Sequence, residues 1–196
     1  MESFHYSQFS QEYSNVHIAL FTNVTNATEL RNRLVQASTM SGPEGDAERQ
    51  AVDFAFIDAT LICSTLHLKS AILNSVLAQA QGALRTKTVH SEILWNLNPT
   101  NNISEAIRRY GVSSSTTSLL VVRIGRPGDP ATVQMQMSAV VSGDLSPTSR
   151  LAGITDWARV KKYYKILQQI DADPQKDIQR VHEIVVSSVS MKSVIV

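Results

Sequence analysis

The stretch His90-Ser91-Glu92-Ile93-Leu94-Trp95-Asn96-Leu97-Asn98-Pro99-Thr100-Asn101-Asn102-Ile103-Ser104-Glu105-Ala106-Ile107-Arg108-Arg109-Tyr110-Gly111-Val112 sets the reading of the whole chain. Val89, Ile93, Trp95 and Leu97 fall on one parity, which predicts a strand with Glu92, Leu94 and Asn96 on its other face. Pro99 cannot donate to a ladder and ends that strand at about Asn98. Asn102 followed by Glu105 reads as a capping box. Ile103, Ala106, Ile107 and Tyr110 then share one face of a short helix. Arg108 and Arg109 sit in its last turn, where the helix dipole favours cations. Gly111 suits the left-handed position past the end.

Working outward, residues 1–15 are polar and predict a flexible N-terminal tail. Val16, Ile18, Leu20, Thr22 and Val24 alternate with His17, Ala19, Phe21 and Asn23, a first strand. Asn26 with Glu29 reads as a second capping box, opening a helix to about Ala37 with Leu30 and Leu34 inward. Residues 39–50 lack periodicity and predict a mobile loop. Phe54-Ala55-Phe56-Ile57 is apolar on both faces, as in a central strand covered on both sides, and Asp58 ends it. A helix from Thr65 to Gln81, closed by Gly82, carries a wide stripe of Leu68, Ile72, Leu73, Val76, Leu77 and Ala80. That width suits either a crowded core or a partner.

Leu119-Leu120-Val121-Val122 predicts another buried strand. Residues 133–141 fit both periods, but Asp129 as N-cap and Pro130 at the first helical position tip them towards helix, with Gly143 at its end. Residues 145–153 read as loop. Trp157, Val160, Tyr164 and Leu167 predict a helix capped by Thr155. Asp173-Pro174 opens the last helix, with Ile178, Val181 and Val185 inward. The apolar run Val194-Ile195-Val196 closes the chain. Together these elements predict an α/β fold of mixed α+β type. A small central mixed sheet is covered by several helices, with residues 16–196 as one domain.

At 196 residues the chain can bury a core without staples. A net charge of +1 gives no overall field towards nucleic acid or membrane, and the one cysteine, Cys63, excludes an internal disulfide. No apolar run is long enough to span a bilayer, so no membrane partner is expected. The five histidines, His5, His17, His67, His90 and His182, show no metal-ligand spacing. No phosphate loop or nucleophile elbow is present, so no cofactor is expected either. Asp58, His90 and Glu92 could serve an enzyme or small-ligand cleft; a turn-forming Asp and a structural His–Glu pair are the plain alternatives. Arg85 and Lys87, with the amides of Asn98, Asn101 and Asn102, could hold a phosphate or an unstacked base, or simply form a solvated charged surface. Tyr110 beside Arg109, with Val185, Val186 and Val189 on the last helix, forms a candidate docking patch, because Tyr and Arg are enriched at hot spots; an ordinary core-edge tyrosine is the plain alternative.

Four blocks then carry a family resemblance: Phe54 to Ala59, His67 to Ile72, Arg85 to Leu94, and Asn102 to Ile107 with Tyr110-Gly111. Over roughly residues 16–190 they resemble the TPRKB (PRPK-binding protein) family. The resemblance implies a mixed α/β, non-catalytic subunit of the KEOPS/EKC complex, which makes threonylcarbamoyl-adenosine in tRNA. It further implies binding to the PRPK-type atypical kinase, contact with other subunits through that kinase, a hand in holding the tRNA CCA end, and a place in cytoplasm and nucleus. Residues 126–153 match only loosely.

Overall fold

The computed structural model describes residues 1–166 and 168–195. Leu167, expected on the inner stripe of a helix, and Val196, the last of the apolar run, lie outside the described residues. In chain order the elements are β1 (Glu2–His5), β2 (Asn15–Thr22), α1 (Ala27–Thr39), α2 (Gly42–Ala51), β3 (Ala55–Asp58), α3 (Thr65–Ala80), α4 (Val89–Leu97) and α5 (Ile103–Tyr110). Then follow β4 (Leu119–Gly125), α6 (Pro130–Val140), β5 (Asp144–Ser146), α7 (Leu151–Ile154), α8 (Trp157–Tyr163) and α9 (Pro174–Ile195). Short 3-10 turns occupy Ala59–Leu61 and Thr148–Arg150. Among the described residues no helix is long and apolar enough to cross a membrane.

The chain forms two compact units, Met1–Asp58 with Gly111–Thr148, and Ala59–Tyr110 with Ser149–Val196. The first holds the sheet, in the order β1-β2-β4-β3, with β5 also on β2. Every pairing is antiparallel rather than mixed. β2 is almost wholly buried, so its alternation hides two apolar faces. Ala19, Phe21, Phe54, Phe56, Leu119 and Val121 meet Leu30 and Ala37 of α1 and Met137 and Val140 of α6 in one core. β3 is buried on both faces as expected, but it ends the sheet order instead of lying at its centre. Asp129 caps α6 by accepting from the Ala131 and Thr132 amides, so the helical reading of residues 130–140 holds.

Several expectations fail for definite reasons. The N-terminal residues pair with β2, Glu2 opposite Ile18 and His5 opposite Asn15, because β2 offers an open edge there. Residues 42–51 form α2, and Arg49 reaches back to the Ala37 and Met40 carbonyls at the end of α1. Asn26 precedes α1 but its side chain does not cap that helix: its amide donates to Val140 O at the end of α6 and its oxygen accepts from Ser142 N–H. Gly143 leads into β5, where a Cβ would come within 2.9 Å of Thr22 O. Residues 145–153 are not loop throughout, since β5, a 3-10 turn and α7 share them.

The second unit is helical. α3 packs on α4 and α9, and α4 also touches α5 and α9. Gly82 ends α3 with a φ of +64°, as its position predicts. The predicted strand at 89–97 is instead α4. Thr88 and Ser91 make a full capping box, and all of Val89–Leu97 except Ser91 is buried. A helix buried all round shows no stripe, and its apolar residues mimic period two by chance. Gly111 is not left-handed; it continues into a bridge with Ile57. Asp156, not Thr155, caps α8, and the Thr155 hydroxyl donates to Ile62 O. On α9, Val181 and Val185 are buried, but Ile178 is exposed.

Candidate functional site

The helical unit folds the segment before α4 onto its own first turn. One oxygen of Glu92, Oε2, accepts from Arg85 N–H at 3.0 Å, Thr86 N–H at 2.8 Å and the Thr86 hydroxyl at 2.7 Å. Glu92 is wholly buried, and its other oxygen, Oε1, has no partner. Beside it opens a cavity of about 330 Å³ lined by Asn74, Gln81, Arg85, Glu92, Trp95 and Asn96, with Ser193 and Val194 of α9. Arg85 and Lys87 are exposed. Its lining therefore includes an exposed cation, an aromatic residue and a buried acid.

The other end of α4 is closed by Lys192. Its ammonium donates to Trp95 O at 2.6 Å, to Thr100 O at 3.0 Å and to Asn98 O. It also lies 4.0 Å from the Trp95 ring centroid. Burial pulls this lysine down to about 8, against the opposing pull of the Glu92 charge. Asn98 is buried, donating to Thr100 Oγ1 at 2.8 Å and accepting from Arg109 at 3.2 Å. Asn102 caps α5 through Glu105 N–H at 2.9 Å. The Glu105 carboxylate does not reach back to close a capping box. It takes the Thr100 hydroxyl and pairs with Arg109 at 2.6 Å. The Thr100 hydroxyl and then the Asn98 amide hold Glu105 below the usual carboxylate range, with Arg109 and Arg108 adding to the effect.

These facts sort the expected site residues. Arg85 and Lys87 precede α4, and the Asn98–Asn102 turn follows it. A helix of nine residues separates them, roughly 13 Å at the usual rise. They do not form one cluster. Only Arg85 lines the cavity; Asn98 and Asn102 serve the turn and the α5 cap, and Asn101 is exposed. The docking patch is likewise dispersed. Tyr110 is 1 % exposed, and Val185 and Val189 are buried, with Val186 half-buried. Burial pushes the Tyr110 phenol up, and the neighbouring Tyr164 hydroxyl pulls the other way. Arg109 is occupied by Glu105, Asn98 and the ring of Tyr163, 4.4 Å away. The apolar face that α5 does expose is Ile103 and Ile107, at 39 % and 53 %.

In the enzyme alternative, Asp58 ends β3 of the sheet unit, while His90 and Glu92 lie two apart on α4 of the helical unit. Residues two apart on a helix do not face each other, so the His90–Glu92 couple expected on a strand is not formed. Among the described residues no three His, Cys, Asp or Glu side chains gather as metal ligands. Sequence reasoning missed the Glu92 clamp and Lys192. The available signals were Thr88-x-x-Ser91 before an apolar run, and single charges at 92 and 192 within apolar helices.

Comparison with known proteins agrees with the family resemblance read from the four blocks. Residues 21–193 match the family described as Kinase binding protein CGI-121. A curated protein of Cryptococcus neoformans var. neoformans serotype D, "EKC/KEOPS complex subunit CGI121", is 40 % identical over all of both chains. The Neurospora crassa protein of that name is 33 % identical over 91 % of this chain and 92 % of its own length. The Aspergillus fumigatus protein of that name is 36 % identical over 77 % and 76 % respectively. The chain belongs to the CGI-121 kinase-binding protein family.

Proposed function

We propose that this chain is a non-catalytic EKC/KEOPS subunit that holds a PRPK-type kinase on α5 and helps present tRNA for threonylcarbamoyl-adenosine formation. Its family and the names of its relatives support the subunit and kinase-binding parts of this reading. The observation that carries the docking site is the outer face of α5. Ile103 and Ile107 stand one turn apart in solvent, while Ala106 and Tyr110 on the inner face are buried. An eight-residue helix that leaves two isoleucines wet has a face suited to a partner. Arg108, with its side chain 74 % exposed, adds a cation beside them.

The tRNA part rests on the cavity by α4. Its Arg85 is exposed and can meet a phosphate of an unpaired end. The test has two arms on the purified full-length chain. An Ile103→Glu/Ile107→Glu variant should lose a PRPK-type kinase in a pull-down while melting within a few degrees of wild type. Arg85→Glu should weaken binding of a labelled tRNA and flatten its salt dependence. Kinase capture at wild-type strength by the double variant would overturn the α5 placement; tRNA affinity unchanged by Arg85→Glu would overturn the cavity placement.

A further inference from the structure

Of the chain's 18 Lys and Arg residues, only Arg85 has a serine or threonine three places further on. That residue is Thr88, with Lys87 just before it and the apolar Val89 just after. Arg85, Lys87 and Thr88 are all exposed. Neither cation is paired with a carboxylate among the described residues. Thr88 also holds an extended backbone, φ −142° and ψ 155°, the conformation in which protein kinases take their substrates.

The Thr88 hydroxyl stands at the open end of a polar chain. It accepts from Ser91 N–H at 3.1 Å and lies 2.9 Å from Ser91 Oγ. Ser91 Oγ donates to Thr86 Oγ1 at 3.0 Å, and the Thr86 hydroxyl donates to Glu92 at 2.7 Å. Thr86 and Ser91 are half-buried and Glu92 is buried, so Thr88 is the solvent-facing member of the chain. A cation three residues before the acceptor is what kinases with an acidic substrate groove select by charge. Helix ends fray, so the first turn of α4 can open to seat Thr88 in an active site.

The transfer uses ATP as co-substrate. Thr88 Oγ1 bonds to the γ-phosphorus, the bond from that phosphorus to the β–γ bridging oxygen breaks, ADP leaves, and the hydroxyl proton goes to the kinase's base. The product carries a charge of about −1.5 to −2 and three acceptor oxygens at the start of α4. Those oxygens can take over the Ser91 N–H, and negative charge suits this end of a helix. The fold therefore accommodates the group. What changes is the surface, because the phosphate offsets the charge of Lys87 beside it and Arg85 three residues before it.

We propose that Thr88 is a phosphorylation site for a basophilic serine/threonine kinase, and that its phosphate engages Arg85 and Lys87 and so withdraws them from nucleic-acid phosphate. The second half is a switch on the tRNA reading above and rests on it; the assignment of the acceptor does not.

The test has two stages. The full chain is first incubated with ATP and calcium/calmodulin-dependent kinase, which selects Arg-x-x-Ser/Thr, and the phosphate is located by mass spectrometry. It should lie on Thr88, and Arg85→Ala should slow its incorporation by on the order of tenfold. Thr88→Ser, which keeps the capping hydroxyl, should still be modified at that position. No incorporation, phosphate elsewhere in place of Thr88, or a rate unaffected by Arg85→Ala would overturn the assignment. Labelled tRNA is then titrated against the unmodified and phosphorylated chains by fluorescence anisotropy. Phosphorylation should weaken binding by about tenfold at low salt, with the gap narrowing as salt rises, while circular dichroism shows the modified chain still folded. Equal affinity of the two forms would overturn the switch. So would an unfolded modified chain, since loss of binding would then follow from loss of fold. Failure of the unmodified chain to bind tRNA would overturn the tRNA reading and the switch together, and leave the acceptor site standing.

Discussion

Acid should weaken this protein through one buried histidine, His67, which has no exposed surface. Its Nδ1 accepts from Cys63 N–H at 3.3 Å, which leaves the proton on Nε2, facing the Tyr164 hydroxyl at 3.4 Å. Tyr164 in turn donates to Leu97 O at 2.8 Å. Protonating Nδ1 would set N–H against N–H in a dry site, and His182 adds like charge. Burial first, then His182, holds the imidazole down at about 3, against 6.5 when unperturbed. The folded value is the lower one, so between these limits the unfolded chain binds more protons and stability falls as pH falls. From pH 7 to pH 5 an unfolded histidine goes from about one-quarter to almost fully protonated, while the folded one takes up almost nothing. The difference is about 2 kcal/mol, a large share of a typical stability of about 5–15 kcal/mol. Urea unfolding at pH 7, 6 and 5 should be compared for wild type and His67→Asn, whose side-chain oxygen can still accept from Cys63. The variant starts less stable, because it leaves a void, but it should lose about 2 kcal/mol less over the range. Parallel loss in the two proteins would refute the reasoning.

Two further outcomes follow from α4. Trp95→Ala should cost about 3–5 kcal/mol in a denaturant titration, since it removes a buried indole; a loss below about 1 kcal/mol would show a wall that collapses freely. Lys192→Met should cost about 2–3 kcal/mol at pH 7. Trp95 O keeps the Asn98 N–H and Thr100 O keeps the Asn98 amide, so Asn98 O loses its charged donor while the other two are only weakened. A more stable variant would mean that burying the ammonium costs more than its bonds return.

Where the sequence was readable, local chemistry and tertiary demand agreed. Asp129-Pro130 starts α6, Gly82 ends α3, and the apolar runs at β2 and β4 are strands. Where it misled, burial had erased the pattern. α4 is apolar all round, so parity gave a strand, and its true start lay in Thr88 and Ser91, just before the periodic residues. β1 and β5 are short and depend on the edge of β2, a partner far along the chain. Of the residues that line the cavity, charge marks out Arg85 and Glu92 in the sequence. Tyr110 has the composition of a hot spot, but side-chain type cannot report that its ring lies inside. Glu92 was read for its acidity; the arrangement of donors that leaves one oxygen bare comes from a fold-back no periodicity encodes.

The two units are interleaved along the chain, and this has a consequence during synthesis. The sheet unit has its last strand once Ser146 has left the ribosome. The helical unit cannot close then. α3, α4 and α5 emerge early, but the helix that covers α3 and supplies Lys192 to the end of α4 is translated well after them and after the sheet. Until α9 has emerged, the nascent chain carries a finished sheet and, in its other unit, three helices with an uncovered apolar flank, a species prone to association. A chain stopped before Pro174 stays in that state permanently. Partial products of translation should therefore be substrates for chaperones and proteases rather than for assembly.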